Sequence, residues 1–216
     1  MQYQESIQCG WLKNELHNTM EQGFNKANAW ERISSLLSAK KQVPCVFLSH
    51  KKEDKGHCRI IGNYLSQVGI NYYLDENDDV LQQASNSGNF QLITESLKKG
   101  IRESTHMLVI VSENTYKSHW VPFEIGYGHA EILDKGLENG DQRDKVKLSV
   151  LTLKDISETK LPDYLLVGNV IRGTKGLNEY ITNIGREFQK ANNSVLLIES
   201  NTKIGHPLDG VLNWKL

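Results

Sequence analysis

His106-Met-Leu-Val-Ile-Val-Ser112 is apolar from its second residue to its sixth and carries no Asp, Glu, Lys or Arg. A run this short and continuous reads as a strand buried on both faces, as the centre of a parallel sheet requires. The flanking segments change period. Phe90 to Ile101 repeats apolar residues at Ile93, Leu97 and Ile101, and Trp120 to Leu133 carries a second helical pattern, so the spacing predicts a helix on either side of the strand.

Further upstream, Val43-Pro-Cys-Val-Phe-Leu-Ser49 reads as a first buried strand whose start Pro44 marks. Asp54 to Val68 shows a helical stripe through His57, Ile60, Ile61, Tyr64, Leu65 and Val68, stopped by Gly69. Ile70-Asn-Tyr-Tyr-Leu74 reads as a second strand, running into Asp75-Glu-Asn-Asp-Asp79 and then a polar loop over Gln82 to Asn89. Downstream, Val146 to Leu153 and Asn169 to Arg172 read as fourth and fifth strands, and Gly176 to Phe188 as a last amphipathic helix. Strands alternating with helices predict right-handed crossovers and an α/β fold, a five-stranded parallel sheet with helices on both faces.

The predicted organisation is a core domain over residues 43–189, an N-terminal helical extension over 1–42 and a C-terminal extension over 190–216. The first extension holds weak helical patterns around Trp11–Met20 and Trp30–Leu37; the second holds a candidate strand, Ser194-Val-Leu-Leu-Ile198. The 216 residues include 25 basic and 26 acidic ones, a formal net charge of -1, so no global field recruits nucleic acid or anionic lipid. No apolar run approaches the roughly 18 residues that span a bilayer, and Met1-Gln-Tyr-Gln-Glu-Ser6 lacks the basic and apolar regions of a signal peptide. Cys9, Cys45 and Cys58 form no CxxC pair, which argues against a disulfide scaffold or structural zinc. A cytoplasmic protein with no metal, nucleic-acid or membrane partner is expected.

Ligands of an open parallel sheet bind beyond the carboxyl ends of the strands, where the strand order reverses. With strand order 2-1-3-4-5 that point lies between strands one and three, between the loops Ser49–Asp54 and Ser112–Trp120. Glu124 stands out there. Ser118 or a neighbour is expected to cap the third helix, and Pro122 suits only a first turn, so Glu124 falls near the helix N-terminus. The helix dipole would keep its carboxylate ionised at neutral pH, and Trp120, one turn earlier, would share its face. An ionised carboxylate beside an aromatic wall suits stabilisation of an oxocarbenium-like transition state. Spacing alone leaves a second reading open, in which Glu124 serves the dipole and Trp120 packs the core.

Other constellations point to less. Adjacent strand residues face opposite ways, so Ser49 and His50 make no nucleophile–base pair while the strand persists. His57-Cys58, His119 and His129 lack metal-site spacing. Gly126-Tyr-Gly128 is no GxGxxG fingerprint, but two glycines inside a helix suggest that something packs close against it.

Val46-Phe-Leu-Ser-His-Lys-Lys-Glu-Asp54 resembles the first-strand box of Toll/interleukin-1 receptor (TIR) domains. Tyr72-Tyr-Leu-Asp75 with its polar loop resembles their second strand and BB loop, and Ser118-His-Trp-Val-Pro-Phe-Glu124 matches the S-x-W-x-x-x-E segment of the NAD-cleaving members. The resemblance covers roughly residues 43–189 in the family's element order. It implies a flavodoxin-like sheet and cleavage of NAD+, as substrate and not as bound cofactor, at the nicotinamide–ribose bond.

Carried over residue by residue, Glu124 is the catalytic side chain, holding the ribose hydroxyls and stabilising the cationic sugar. Trp120 and Ser118 belong to the same segment, and Trp120 would flank the site. Ser49 and His50 would line the nicotinamide pocket, and Asp75 with its loop would gate it. Nicotinamide leaves neutral, so no general acid is required, in keeping with the lack of a second well-placed carboxylate.

Bacterial stand-alone members resemble antiphage effectors, which implies homo-oligomers built by TIR–TIR contacts and a downstream effector that senses a linear, cyclic or conjugated ADP-ribose product. Two rival functions are a non-catalytic TIR adaptor, which usually lacks a glutamate here, and a nucleoside deoxyribosyltransferase-like enzyme, which the first-strand box disfavours.

Overall fold

The computed structural model describes residues 44–75, 78–134, 145–154, 156, 161–192 and 206–213, with the side chains of 187–192 left aside. The expected helical extension over 1–42 and the candidate strand 194–198 lie outside the described residues. In chain order the elements are β1 (Cys45–Ser49), α1 (Lys55–Gln67), β2 (Asn71–Tyr73), α2 (Asp79–Ser87), α3 (Phe90–Arg102), β3 (His106–Val111), α4 (Trp120–Gly128), β4 (Leu148–Thr152), β5 (Asn169–Arg172) and α5 (Gly173–Asn192). The five strands form one sheet in the order β2-β1-β3-β4-β5, with every pair parallel. This is the expected α/β, flavodoxin-like architecture. The last helix is longer than its periodicity suggested, opening at Gly173 and running to Asn192.

Alternation along the strands divides the core in two. Val46, Leu48, Leu108 and Ile110 face α1 and α5, where Ile61, Leu65, Leu177 and Ile181 complete one apolar layer. Cys45, Phe47, Met107 and Val109 face the other way, against Leu81 of α2, Leu97 and Ile101 of α3, and Val121 and Ile125 of α4. All six residues of β3 are buried, as expected of the central strand. Burying each large aliphatic side chain contributes about 1.5–3 kcal/mol, so this strand anchors both layers.

The polar stretch after β2 is not the loop its composition suggested. Residues Asp79–Ser87 form α2, which the Asp78 carboxylate caps by accepting from Leu81 N, and which Gly88 ends in the left-handed region at φ 67°. Only Leu81 and Ala84 of this helix are buried, so its apolar signal is too sparse for periodicity to register. Asp78 also accepts a hydrogen bond from the Tyr73 hydroxyl at 2.6 Å, tying the helix cap back to the end of β2.

The helix after β3 also departs from expectation. It is α-helical only to Gly128 and continues over His129–Asp134 as a π-helical turn. A Cβ on Gly128 would collide with Met107 Sδ, whereas Gly126 has open space, so one of the paired glycines answers to close packing on β3.

Residues 206–213 lie against the α1/α5 layer, with Leu208, Val211 and Leu212 buried in it. The Tyr64 hydroxyl donates to Asn178 Oδ1 at 2.8 Å and lies 3.2 Å from His206 Nε2. His206 Nδ1 accepts from Leu208 N, so Nε2 carries the proton and points it at the tyrosine oxygen. Backbone bonds from Lys154 N to Val211 O and from Thr174 N to Asn213 O complete the attachment.

Candidate functional site

Ser49 is the last residue of β1, and its side chain follows Cys45 and Phe47 onto the α4 face of the sheet. There its hydroxyl donates to Glu124 Oε2 at 2.5 Å, joining residues 75 positions apart in the chain. Glu124 stands in the second turn of α4, next to the buried Val121 and Ile125, and is itself only 5% exposed. Ser118 Oγ accepts from Val121 N at 3.2 Å, so Ser118 caps the helix as expected. Trp120, half-buried, packs edge-on to Phe123 with ring centroids 6.0 Å apart.

The expected charge state of Glu124 is overturned. Its carboxyl is pushed up to about 8, mainly by burial, and further by the negative charge of Asp75; the Ser49 hydrogen bond only partly opposes this. The helix dipole acts within the first turn, and no acidic residue lies in the first turn of α4. Desolvation therefore outweighs the dipole, and the carboxyl is mostly protonated at neutral pH. The negative charge of Asp75, just past β2, adds to the proton affinity of Glu124.

His50 follows β1 directly and is released from the strand's alternation. Its Nδ1 lies 3.0 Å from Leu48 O, and a carbonyl oxygen only accepts, so Nδ1 carries the proton. Its Nε2 lies 3.5 Å from Asp75 Oδ1, and among the described residues neither atom has a hydrogen-bond partner. Ser49, His50, Asp75 and Glu124 thus gather where β1 and β2 end, while Ser118 serves as a helix cap.

The loops on either side of the switch point hold a second buried carboxylate that sequence reasoning left without a role. Asp54, 2% exposed, accepts from Ser112 Oγ at 2.5 Å and from Asn114 Nδ2 at 3.0 Å. This joins the loop after β1 to the loop after β3 across the switch point. Asp54 belonged to a quoted motif, yet its partners are 58 and 60 residues away, beyond any local signal.

Among the described residues, no group of three or more His, Cys, Asp or Glu side chains is placed to hold a metal ion. No helix among them is long and apolar enough to cross a membrane.

Comparison with known proteins finds a similarity to the same family that the sequence motifs resemble. The profile of the TIR domain matches residues 46–146. A protein of Cytobacillus dafuensis named as a cyclic ADP-D-ribose synthase is 30% identical over 99 residues, covering 45% of this chain and 25% of the relative. A protein of Methanobrevibacter olleyae named as a 2' cyclic ADP-D-ribose synthase is 32% identical over 80 residues, covering 37% of this chain and 21% of the relative. The chain thus spans about a quarter of the length of the curated relatives it matches. The segment similar to the TIR domain, just under half of this chain, takes in β1, β2, β3 and Glu124.

Proposed function

We propose that the chain cleaves NAD+ at the nicotinamide–ribose bond, giving nicotinamide with ADP-ribose or a cyclic or conjugated isomer. The observation that carries the reading is the buried Ser49–Glu124 pair with Asp75 beside it, at the carboxyl ends of the parallel strands. The names of the two relatives as cyclic ADP-D-ribose synthases support NAD+ as the substrate.

Glu124 is the catalytic residue in this reading. The N-glycosidic bond breaks with its electron pair moving onto the pyridinium nitrogen, which leaves neutral nicotinamide and a cationic sugar. A carboxylate facing the anomeric carbon stabilises that cation as it forms. The protonated carboxyl of the empty site becomes ionised when the positively charged pyridinium binds, because a cation nearby favours the charged form. Water or a hydroxyl of the substrate then adds to the sugar carbon and releases its proton, which yields a linear or cyclic product. Ser49 holds the carboxylate in place and Trp120 flanks it. In this reading the domain is a cytoplasmic, homo-oligomeric antiphage component whose nucleotide product a downstream effector senses.

The test is mass spectrometry of the products after incubation with NAD+, wild type beside Glu124→Gln. Release of nicotinamide by the wild type and its loss in the variant are expected. kcat/KM is expected to rise as the pH climbs through about 8, because the ionised form is the active one. Full turnover by Glu124→Gln refutes the role given to Glu124.

A further inference from the structure

The mechanism above makes no use of Asp54. Its carboxylate accepts from Ser112 Oγ at 2.5 Å and from Asn114 Nδ2 at 3.0 Å, and its backbone N–H donates to Lys51 O at 2.8 Å. The bonds continue toward α4. Ser112 N donates to Thr115 Oγ1 at 2.9 Å, Ser118 N to Thr115 O at 3.0 Å, and Val121 N to Ser118 Oγ at 3.2 Å. Glu124 lies one turn beyond Val121, and its bond from Ser49 closes the circuit at the end of β1. Asp54 leads into α1 on one face of the sheet while α4 packs on the other, so the circuit links the two layers around the carboxyl edge.

Burial takes water from the Glu124 carboxyl, so α4 would gain by turning that side chain outward, and the Ser49 bond opposes this only in part. We propose that Asp54 is a positioning residue for Glu124: by bridging the loop after β1 to the loop that leads into α4, it holds the carboxyl against Ser49 and away from water. Its catalytic consequence rests on the NAD+-cleaving reading. A carboxylate that stabilises a cationic sugar acts through its placement, and a displacement of about 1 Å can cost on the order of 100-fold in rate.

The groups that face Glu124 are Ser49 at the end of β1 and Asp75 past β2, with the titratable His50 3.5 Å from Asp75. The charge that raises Glu124 is that of Asp75 and not of Asp54, so Asp54 acts through the loop and the helix.

The experiment measures kcat and KM for NAD+ against pH in the full chain, in Asp54→Asn and in Asn114→Asp. The first variant sets an N–H against one of the two donors, and the second sets a carboxylate against Asp54. Asn114 is exposed, so its replacement opens the bridge without emptying the core. Leu208→Ala, in the opposite layer, serves as a variant that lowers stability alone. In parallel, urea denaturation near pH 5 and near pH 9 compares each background with and without Glu124→Gln, which reads the proton affinity of Glu124 without any turnover.

Both bridge variants are expected to lower kcat about 10–100-fold with KM within about 3-fold, and to move the pH midpoint toward acid by about one pH unit as water reaches Glu124. The charge added by Asn114→Asp would by itself move that midpoint the other way, so an acid shift there reports the opened bridge. The stability gained from Glu124→Gln near pH 9 is expected to shrink in both backgrounds, and Leu208→Ala to keep the wild-type midpoint and kcat.

Wild-type kcat and midpoint in both bridge variants overturn the proposal, as does either effect without the other, or the same acid shift in Leu208→Ala. If the wild type cleaves no NAD+ at any pH, the cleavage reading falls and the denaturation series alone decides the bridge. A smaller gain from Glu124→Gln in the Asn114→Asp background than in the wild type then upholds it, and an equal gain overturns it.

Discussion

Replacing Glu124 by glutamine tests the physical claim beneath the site, that burial and not the helix dipole sets the charge of this side chain. The folded carboxyl ionises at about 8, and the unfolded one at its ordinary value of 4.5. Below the lower value both states hold the proton, and the full stability of the fold is present. As the pH rises the unfolded chain gives up its proton first, so stability falls steadily until the folded carboxyl ionises too. At about 1.4 kcal/mol for each tenfold difference in proton affinity, the loss comes to about 5 kcal/mol.

Domains of this size hold about 5–15 kcal/mol in all, so such a loss shows clearly in urea denaturation. Glutamine is neutral at every pH, has the same shape and keeps an acceptor for the Ser49 hydroxyl. Glu124→Gln is therefore expected to match the wild type within about 1 kcal/mol near pH 5 and to exceed it by several kcal/mol near pH 9. Titrating groups that do not interact with Glu124 contribute alike to both proteins and drop out of the difference. A difference that stays constant with pH, or grows toward acid, refutes the reasoning.

Ser49→Ala removes the one interaction that favours the ionised form of Glu124, so the pH midpoint of the stability curve moves further up, as the same denaturation series would record. Asp54→Ala leaves the Ser112 hydroxyl and the Asn114 amide without their shared acceptor and costs about 2–4 kcal/mol, read as a lower urea midpoint at unchanged slope. Gly88→Ala forces a side chain into the left-handed conformation that ends α2, at a cost of about 1 kcal/mol in the same assay. Leu208→Ala opens a cavity beneath the C-terminal attachment and costs about 2–5 kcal/mol; a neutral result would mean that residues 206–213 add nothing to the core.

The strands were legible because a parallel sheet buries both faces. Its members read as unbroken apolar runs, and β1, β3 and β5 fall within two residues of their predicted limits. Helices α1, α3 and α5 were legible because each keeps a wide apolar stripe. Helix α2 was not: two buried residues among polar ones make no stripe, and the capping aspartate at 78 looked like part of an acidic loop. Ser49, His50, Asp75, Glu124 and Trp120 were all named from motifs, but their arrangement was not. Motifs carried no sign of the close approach of His50 to Asp75, nor of the bond from Asp54 across to Ser112.

The amino-acid order alone determined the layering of this protein, because hydrophobic period and turn residues act over a few positions and leave one way to cover a parallel sheet. Only the tertiary structure decided the chemistry of Glu124. A carboxyl group takes its charge from the water it loses and the charges it meets, and here those come from a strand end 75 residues away and from a second carboxylate past β2. Desolvation belongs to the packed neighbourhood of a group and not to its place along the chain, which is why a residue found by its spacing had its protonation state reversed by its burial.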